Sequence, residues 1–545
     1  MKIVIVGGVA AGASAATKAR RVNEEAEIVI LEKGPYVSFA NCGLPYYVGG
    51  EIQKRESLIL VSPELFKKRF NIDVRINHEV TDIDPQGKTV TVKAAGETVK
   101  ETYDKLILAP GSEPIIPPLP GVDLPQVHAV FTVPDVEKIT ENIQEGLKSA
   151  VIVGGGFIGL ETAEALLKRG LVTTLVEKMP QLIPNFDPEF SLPLESHLKD
   201  MGLRICLGNS LQAILGDGKV EEVILEDGTR IKTEMVILAI GAKPRLDLAR
   251  KAGLAVGTAG GVVADATMLT SDPDIYAAGD IVESVHLVSG KKVRIPLAGS
   301  ANKQGRIAGA NAAGGKLLFK GVMGSAIIKV GELTAARTGL SEKEARELGM
   351  NCYVSYTPSH DHATYYPEAR RMIIKIVVEE HTGRVLGAQG VGWKGVDKRI
   401  DALAVAVYAN LSVLDLEHLD LPYAPPFASA KDPAIMAGMV AANILRGDVR
   451  HVTPAQLKEM LEKEEVTVVD VRTPAENEKG SVKGALNLPL DELRQRYREL
   501  DSRKKIVLYC GVGYRSYVAY RFLKQKGYDV YNLSGGYSGY MMSMQ

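Results

Sequence analysis

The clearest pattern along the chain is a short unbroken apolar run that stops at a glycine turn. KIVIV (2–6) runs into GG, AVIV (150–153) into GGG, KLILA (105–109) into PG, and MVILAI (235–240) into GA. Runs of this length bounded by turn residues predict strands buried in a sheet core. GGVAAGASAATKARR, after the first of them, predicts an amphipathic helix. The opening MKIVIVGGVAAGASAA has the apolar middle and small-residue end of a secretion signal. Strand, tight turn and helix explain it better. No other uninterrupted apolar run reaches the roughly 18 residues of a membrane span, so a soluble, cytoplasmic protein is expected.

The strand–turn–helix unit occurs twice. VIVGGVAAG is followed by EIVILEKG, which puts Glu32 twenty residues after Gly12; AVIVGGGFIGLE is followed by VTTLVEKM, which puts Glu177 eighteen after Gly159. Glycines in such a unit let the backbone approach a pyrophosphate, the helix start attracts its charge, and the acid ending the second strand binds a ribose hydroxyl. Two dinucleotides are therefore expected. Gly154, Gly156 and Gly159 complete GxGxxG, whereas the first copy reads Gly7, Val9, Gly12 and lacks the middle glycine. Within these segments Gly8, Ala11, Lys33, Gly111, Ile158 and Gly241 join the candidate cofactor contacts, and IYAAGD ends in Asp280.

A length of 545 residues implies three or four domains. The 65 Lys and Arg balance 66 Asp and Glu, which gives no overall attraction to nucleic acid or an acidic membrane. The four cysteines, Cys42, Cys206, Cys352 and Cys510, are far apart, a usage that suits a reducing compartment. In SFANCGLPYY (38–47) the position a CxxxxC redox pair would fill with its second cysteine is Tyr47. Cys42 therefore either holds oxidation as a mixed disulfide, a persulfide or a sulfenic acid, or is a small buried hydrophobe.

Together the two fingerprints, the glycine-ended strands and IYAAGD resemble the two-dinucleotide disulfide reductase flavoproteins over residues 1–445. That resemblance implies that Gly7, Gly8, Gly12, Glu32 and Asp280 serve FAD, and that Gly154, Gly156, Gly159 and Glu177 serve NADH. A carboxylate at Glu177 accepts ribose hydroxyls and repels a 2′-phosphate, which favours NADH over NADPH. SFANCG is similar to the active-site segment of the coenzyme A disulfide reductase branch, whose single cysteine alternates between thiolate and a mixed disulfide with coenzyme A. A peroxidase or oxidase relative would carry a histidine where this chain has Ala10. The resemblance further implies that Tyr365 and Tyr423 reach a neighbouring subunit's site as proton donors, in place of the histidine of glutathione-reductase-type relatives. It also suggests Ser38, Asn41, Arg20, Arg21, Asn302 and Arg306 as substrate contacts, with a solvated helix face as the alternative for the arginines. A helix start near Gly43 is expected to depress the Cys42 pKa.

At the far end, VDVRTPAE, GALNLP, CGVGYRS and NLSGGY together resemble a rhodanese domain over about residues 452–545. Cys510 is the implied persulfide carrier and Arg515 part of its cradle, with backbone N–H groups and a helix start converging on the sulfur. Cys206 and Cys352 read as ordinary thiols. The expected fold is α/β, with two Rossmann-like dinucleotide-binding domains, an α+β dimerisation domain and the rhodanese domain. Their ranges are 1–115 with 246–320 for FAD, 116–245 for NAD(H), 321–445 for dimerisation, a linker at 446–455, and 456–545. The expected activity is NADH-dependent reduction of coenzyme A persulfide, polysulfide or coenzyme A disulfide in a homodimer without a metal, releasing coenzyme A thiol and hydrogen sulfide. An NADH oxidase or peroxidase, or a non-catalytic sulfur carrier, is the alternative.

Overall fold

In a computed structural model, residues 1–463 and 465–544 are described. Two compact units emerge, Met1–Pro180 with Gly202–Val322, and Gln181–Met201 with Met323 onward.

The first unit holds two parallel five-stranded sheets. One runs in the order Ile275–Ala277, Lys105–Leu108, Lys2–Val6, Glu27–Leu31, Asp73–Arg75; the other in the order Arg204–Leu207, Val172–Glu177, Ser149–Val153, Val236–Leu238, Val127–Ala129. Their central strands are buried on both faces: Ile3, Val4 and Ile5, like Val151 and Ile152, have no exposed surface. That is why these strands read as continuous apolar runs and not as alternating ones. The helix Ala10–Val22 packs along Ala298–Ala312. Two glycines permit the approach, since a Cβ on Gly305 would meet the Ala11 carbonyl oxygen at 2.1 Å and one on Gly309 that of Ala15 at 2.0 Å. A two-stranded ribbon, Ser112–Pro114 with Ala242–Pro244, joins the two modules.

The second unit contains an antiparallel sheet ordered Ala326–Val330, Leu333–Gly339, Val385–Gly392, Arg371–Glu379, Cys352–His360. Helix Val396–Tyr408 packs against its Leu333–Gly339 and Val385–Gly392 strands, and helix Pro433–Leu445 against Cys352–His360 and Arg371–Glu379. It also contains a parallel sheet ordered His451–Val452, Val530–Leu533, Lys505–Tyr509, Val466–Asp470, Leu486–Asn487. The chain is thus α/β with two dinucleotide-type sheets, an antiparallel domain and a C-terminal parallel-sheet domain.

One expected boundary is corrected, and one segment packs apart from its module. The interval 446–455 is not a free linker. Helix Pro433–Leu445 ends at its N-terminal edge, Val449 lies in the core of the C-terminal domain, His451–Val452 is a strand of its sheet, and His451 Nε2 donates to the Val354 carbonyl at 3.1 Å. Together with the bond from Tyr356 N–H to Ser534 Oγ at 2.9 Å, this docks the C-terminal domain on the antiparallel sheet. The segment Gln181–Met201, expected within the NAD(H) module, clusters with the second unit. Its helix Pro188–Asp200 is held there by Lys375, whose buried ammonium lies 2.9, 2.6 and 2.7 Å from carboxylates of Asp187, Glu189 and Glu342. A buried cation with three bonds needs such a set of acceptors, and nothing in the local sequence of 181–201 announces it.

Candidate functional site

Both fingerprint turns are built alike. A Cβ on Gly7 would meet the Ala109 carbonyl oxygen at 2.2 Å, and one on Gly154 that of Ala239 at 2.3 Å; both residues also have positive φ. Gly12 and Gly159 face the carbonyls of Gly7 and Gly154 equally closely. By contrast, a Cβ on Gly156 meets nothing within 4 Å, which leaves the side of the turn that a pyrophosphate approaches open. The helices that follow, Ala10–Val22 and Phe157–Lys168, carry no side-chain cap, so their first N–H groups are available to an anion. Each acidic residue is pre-oriented by its turn. Glu32 accepts from Gly8 and Gly34 N–H at 2.7 Å each, and Glu177 from Gly155 and Met179 N–H at 2.6 Å each.

The half-buried Asp280 accepts from Ser112 Oγ at 3.0 Å, and desolvation raises its pKa despite the positive charge of Arg294. Nη1 of Arg294 is buried with no partner among the described residues. That orphaned donor beside a partly satisfied carboxylate, together with the open glycine turns, fits a dinucleotide cofactor with polar groups of its own. Gly111 has φ +69° and Gly241 φ +107°, backbone that only glycine adopts easily. Ile158 is exposed beside the second turn, and Lys33 pairs with Glu79 at 2.7 Å.

Cys42 sits in a short 3₁₀ turn, Asn41–Gly43, ahead of the helix Leu44–Gly49. Ser38 adopts φ +50°, and its backbone is pinned by Gly8 O and Leu60 N–H at 2.8 and 2.9 Å. The thiol is accessible. Contrary to expectation, its pKa is raised: desolvation by the surrounding protein pushes it up, the Glu161 charge adds to this, and a backbone hydrogen bond offsets only part. A six-residue helix start is too weak to outweigh them. Glu161 is the functional candidate that motif reading missed. It lies just beyond the second fingerprint, accepts from Tyr46 Oη at 3.2 Å, and burial raises its own pKa to about 6. The final E of GGGFIGLE was visible, but nothing in the sequence placed it beside residue 42.

The expected substrate contacts divide. Arg21, Asn302 and Arg306 are exposed, and Ser14 Oγ donates to Asn302 Oδ1 at 2.6 Å across the helix pair. Asn41 is exposed beside Cys42. Arg20 is corrected: it is 4% exposed, and its guanidinium is spent on the carbonyls of Phe70, Asn23, Glu24 and Asn71. It holds the 70–72 turn and has nothing left for a phosphate.

In the second unit, the hydroxyls of Tyr365 and Tyr423 meet at 2.7 Å although 58 residues separate them. Tyr365 is 75% exposed and Tyr423 46%, and the neighbouring phenol raises the pKa of Tyr365. Their loops share a foundation. Arg399, 2% exposed, bonds the Asp361 carbonyl at 2.7 Å and the Asp432 carboxylate at 2.8 Å. Asp361 opens the loop that bears Tyr365, and Asp432 closes the loop that bears Tyr423.

Cys510 directly follows the strand Lys505–Tyr509, and the residue is 1% exposed. Gly513 N–H donates to Sγ at 3.1 Å and Ser516 Oγ lies 3.6 Å away. Gly513 has φ +102° at the start of helix Tyr514–Gln525, the left-handed backbone that turns this N–H onto the sulfur. The 534–538 turn closes beneath, with Tyr537 N–H on the Cys510 carbonyl and Ser538 N–H on that of Gly511. Arg515 makes a two-pronged pair with Glu476 at 2.8 and 2.6 Å, and that pairing, assisted by Thr473, holds the Glu476 carboxyl down at about 2. Glu476 also completes the cap of helix Pro474–Glu478. Cys206 and Cys352 are free and part-buried or buried.

Among the described residues no helix is long and apolar enough to cross a membrane. One group of carboxylates, Asp187, Glu189 and Glu342, is close enough to hold a cation, and the Lys375 ammonium already occupies that role.

Residues 1–305 match the pyridine nucleotide-disulphide oxidoreductase family, residues 325–435 the dimerisation domain of the same family, and residues 453–543 the rhodanese-like domain. The chain is similar to the crystallised, reduced CoADR-RHD of Bacillus anthracis, with 43% identity and a TM-score of 0.97 over 100% of this chain and 98% of that one. It is similar to a NAD-dependent persulfide reductase from A. fulgidus, with 39% identity and a TM-score of 0.93 over 99% and 100%. A curated NADH oxidase of Methanocaldococcus jannaschii is 36% identical, with 80% of this chain and 98% of that protein covered.

Proposed function

Because this chain belongs to the pyridine nucleotide-disulphide oxidoreductases and carries a rhodanese-like domain on the same polypeptide, we propose that it uses NADH to reduce coenzyme A persulfide, polysulfide and coenzyme A disulfide. The observation that carries this reading is the accessible, unpaired thiol of Cys42, all four cysteines being free. A lone thiol that forms no internal disulfide holds oxidation as a bond to the substrate's own sulfur, or else as a sulfenic acid.

Cys42 attacks as thiolate. On coenzyme A disulfide, a bond forms between Cys42 Sγ and one substrate sulfur, the substrate S–S bond breaks, and coenzyme A thiolate departs. On the persulfide, attack at the outer sulfur expels coenzyme A thiolate and leaves sulfane sulfur on Cys42, to be released as hydrogen sulfide. The paired phenols of Tyr423 and Tyr365, presented by the dimerisation domain of the partner subunit, donate the proton that the leaving thiolate takes. Glu32 and Asp280 would orient FAD, and Glu177 the ribose of NADH. Bound FAD and NADH supply the electron pair that returns Cys42 to its thiolate. Cys510, with an N–H and a hydroxyl facing its sulfur, is suited to hold an anionic persulfide, and Arg515, fixed by Glu476, shapes the mouth of that loop. The fusion favours persulfide over plain disulfide as substrate, because a sulfur carrier has no work in disulfide reduction.

Oxygen is the competing acceptor, given the name of the Methanocaldococcus relative. Ala10 leaves the first glycine loop without a proton-handling side chain, which counts against it. The test is NADH consumption by wild type and Cys42→Ser with coenzyme A persulfide, coenzyme A disulfide, polysulfide, peroxide and oxygen. We expect turnover with the sulfur substrates and its loss in the variant. Oxygen or peroxide turnover that rivals the sulfur substrates in wild type would overturn the proposal.

A further inference from the structure

The loop that presents Tyr365 connects the strands Cys352–His360 and Arg371–Glu379. Its base is closed by Asp361, whose N–H bonds the Arg370 carbonyl at 2.9 Å and whose Oδ1 accepts the Arg370 N–H at 2.6 Å. Inside it lies His362, 7% exposed. One ring nitrogen, Nδ1, is 3.0 Å from Asp361 Oδ2, and the other, Nε2, is 2.9 Å from the Pro367 carbonyl oxygen. A carbonyl only accepts, and so does an ionised carboxylate. A neutral imidazole has one N–H and would leave a lone pair pressed against one of these oxygens in a buried site. Only the imidazolium satisfies both.

The two bonds span the loop from residue 361 to residue 367 and so bracket Tyr365. Tyr366 completes the enclosure: its N–H bonds the Ala363 carbonyl at 2.9 Å, and its ring meets the imidazole edge-on at a centroid distance of 5.7 Å. We propose that His362 is a positioning residue that, as a buried imidazolium bonded at both nitrogens, staples the loop and holds the Tyr365 phenol in register with Tyr423.

Charges around the ring agree with this state. From its own loop come the Asp361 carboxylate and the more distant His360. From helix Val396–Tyr408 come Arg399 and Lys398, but Arg399 is spent on the Asp361 carbonyl and on Asp432, and Lys398 lies 3.9 Å from Asp432. Asp432, at the start of the next helix, thus offsets those cations. Burial works against the charged ring, but the Pro367 carbonyl and the Asp361 carboxylate outweigh it and the His362 pKa is raised. A raised folded-state pKa means that the staple is complete below the ordinary histidine range and is lost as pH rises through the raised value.

The ring's charge is independent of the function proposed above; its consequence for turnover rests on that proposal. In FAD-loaded wild type labelled with ¹⁵N-histidine, the His362 ring, assigned by its disappearance in His362→Gln or His362→Asn, is expected to show both nitrogens protonated at pH 6 and to titrate above an ordinary histidine. With NADH and coenzyme A disulfide as probe, wild-type kcat/KM should fall through that same pKa. His362→Gln, which keeps a donor without a charge, should be about tenfold lower at neutral pH and lack that inflection. One unprotonated ring nitrogen at pH 6, or an unchanged inflection in His362→Gln, would overturn the staple. A doubly protonated ring in an enzyme with no disulfide turnover at any pH would uphold the staple and refute the function.

Discussion

The chain offers two sulfur atoms for chemistry, and they sit in opposite surroundings. Cys42 is accessible, lies in the field of a half-buried carboxylate and has a raised pKa; Cys510 is buried, with an N–H and a hydroxyl aimed at its sulfur. A site that disfavours the resting anion keeps Cys42 largely as thiol until substrate arrives, while the thiolate it then yields has high intrinsic nucleophilicity. Donors that favour the anion suit a sulfur that must store a charged persulfide. The two surroundings therefore argue for a division between reaction and storage within one polypeptide.

The sharpest break between the two is deletion of each sulfur. Cys42→Ser is expected to lower NADH turnover with coenzyme A persulfide by about 10³-fold or more, since no other thiol can form the covalent intermediate. Cys510→Ser should leave the same soluble substrate within about twofold, because storage is bypassed when the substrate is already in solution. Steady-state NADH consumption reads both. Equal losses in the two variants would mean that sulfur must pass through Cys510 before it reaches Cys42.

Next in size is the phenol pair. Tyr423→Phe should reduce kcat by about 10–100-fold, the range of a lost proton donor. The Tyr365→Phe, Tyr423→Phe double variant should fall little further, because the hydroxyls share one hydrogen bond and neighbours that act together are not additive. A product of the two single losses would show that the phenols act separately.

Much of the fold around these two thiols was legible beforehand. The fingerprints, IYAAGD and CGVGYRS are local devices, where a turn, a helix start and a side chain lie within a few residues, so spacing alone places their atoms. What was not legible depends on chain segments that meet only after folding. Arg20 looked like an exposed helix cation until its partners proved to be carbonyls at 70 and 71. Arg399 gave no signal of tying two tyrosine loops, and Gln181–Met201 none of joining the second unit. The supposed linker failed because a two-residue strand, His451–Val452, is too short to show a period.

Around Cys510 the comparison is sharpened by Glu476, which orders the loop through Arg515. Its carboxyl is held near 2 by that pairing, below the usual carboxylate value. A depressed folded-state pKa stabilises above the unfolded value and loses its contribution as pH falls through the folded one. Glu476→Gln should thus destabilise at pH 7 and have no effect near pH 2. Both side chains are about one-third exposed or more, so solvent screening limits the change to about 1 kcal/mol. Chemical denaturation of both proteins at the two pH values reads the difference. Rhodanese-type transfer from Cys510 should slow as the loop loosens.

The smallest expected effect tests the other half of the comparison. Glu161, with its pKa near 6, is charged at neutral pH and opposes ionisation of Cys42. Glu161→Gln removes that charge while Tyr46 can still donate to the amide oxygen. The Cys42 pKa should then fall only in part, because desolvation, the larger cause, remains. Alkylation of Cys42 by iodoacetamide between pH 7 and 8 should accelerate about threefold, in proportion to the thiolate fraction. Cys510 in the same sample is the internal standard, since Glu161 belongs to a different compact unit and its removal should leave that rate unchanged. Acceleration at both thiols would point to general loosening of the fold. Acceleration at Cys42 alone would show that a carboxylate beside the second dinucleotide turn holds the reactive sulfur back until its substrate arrives.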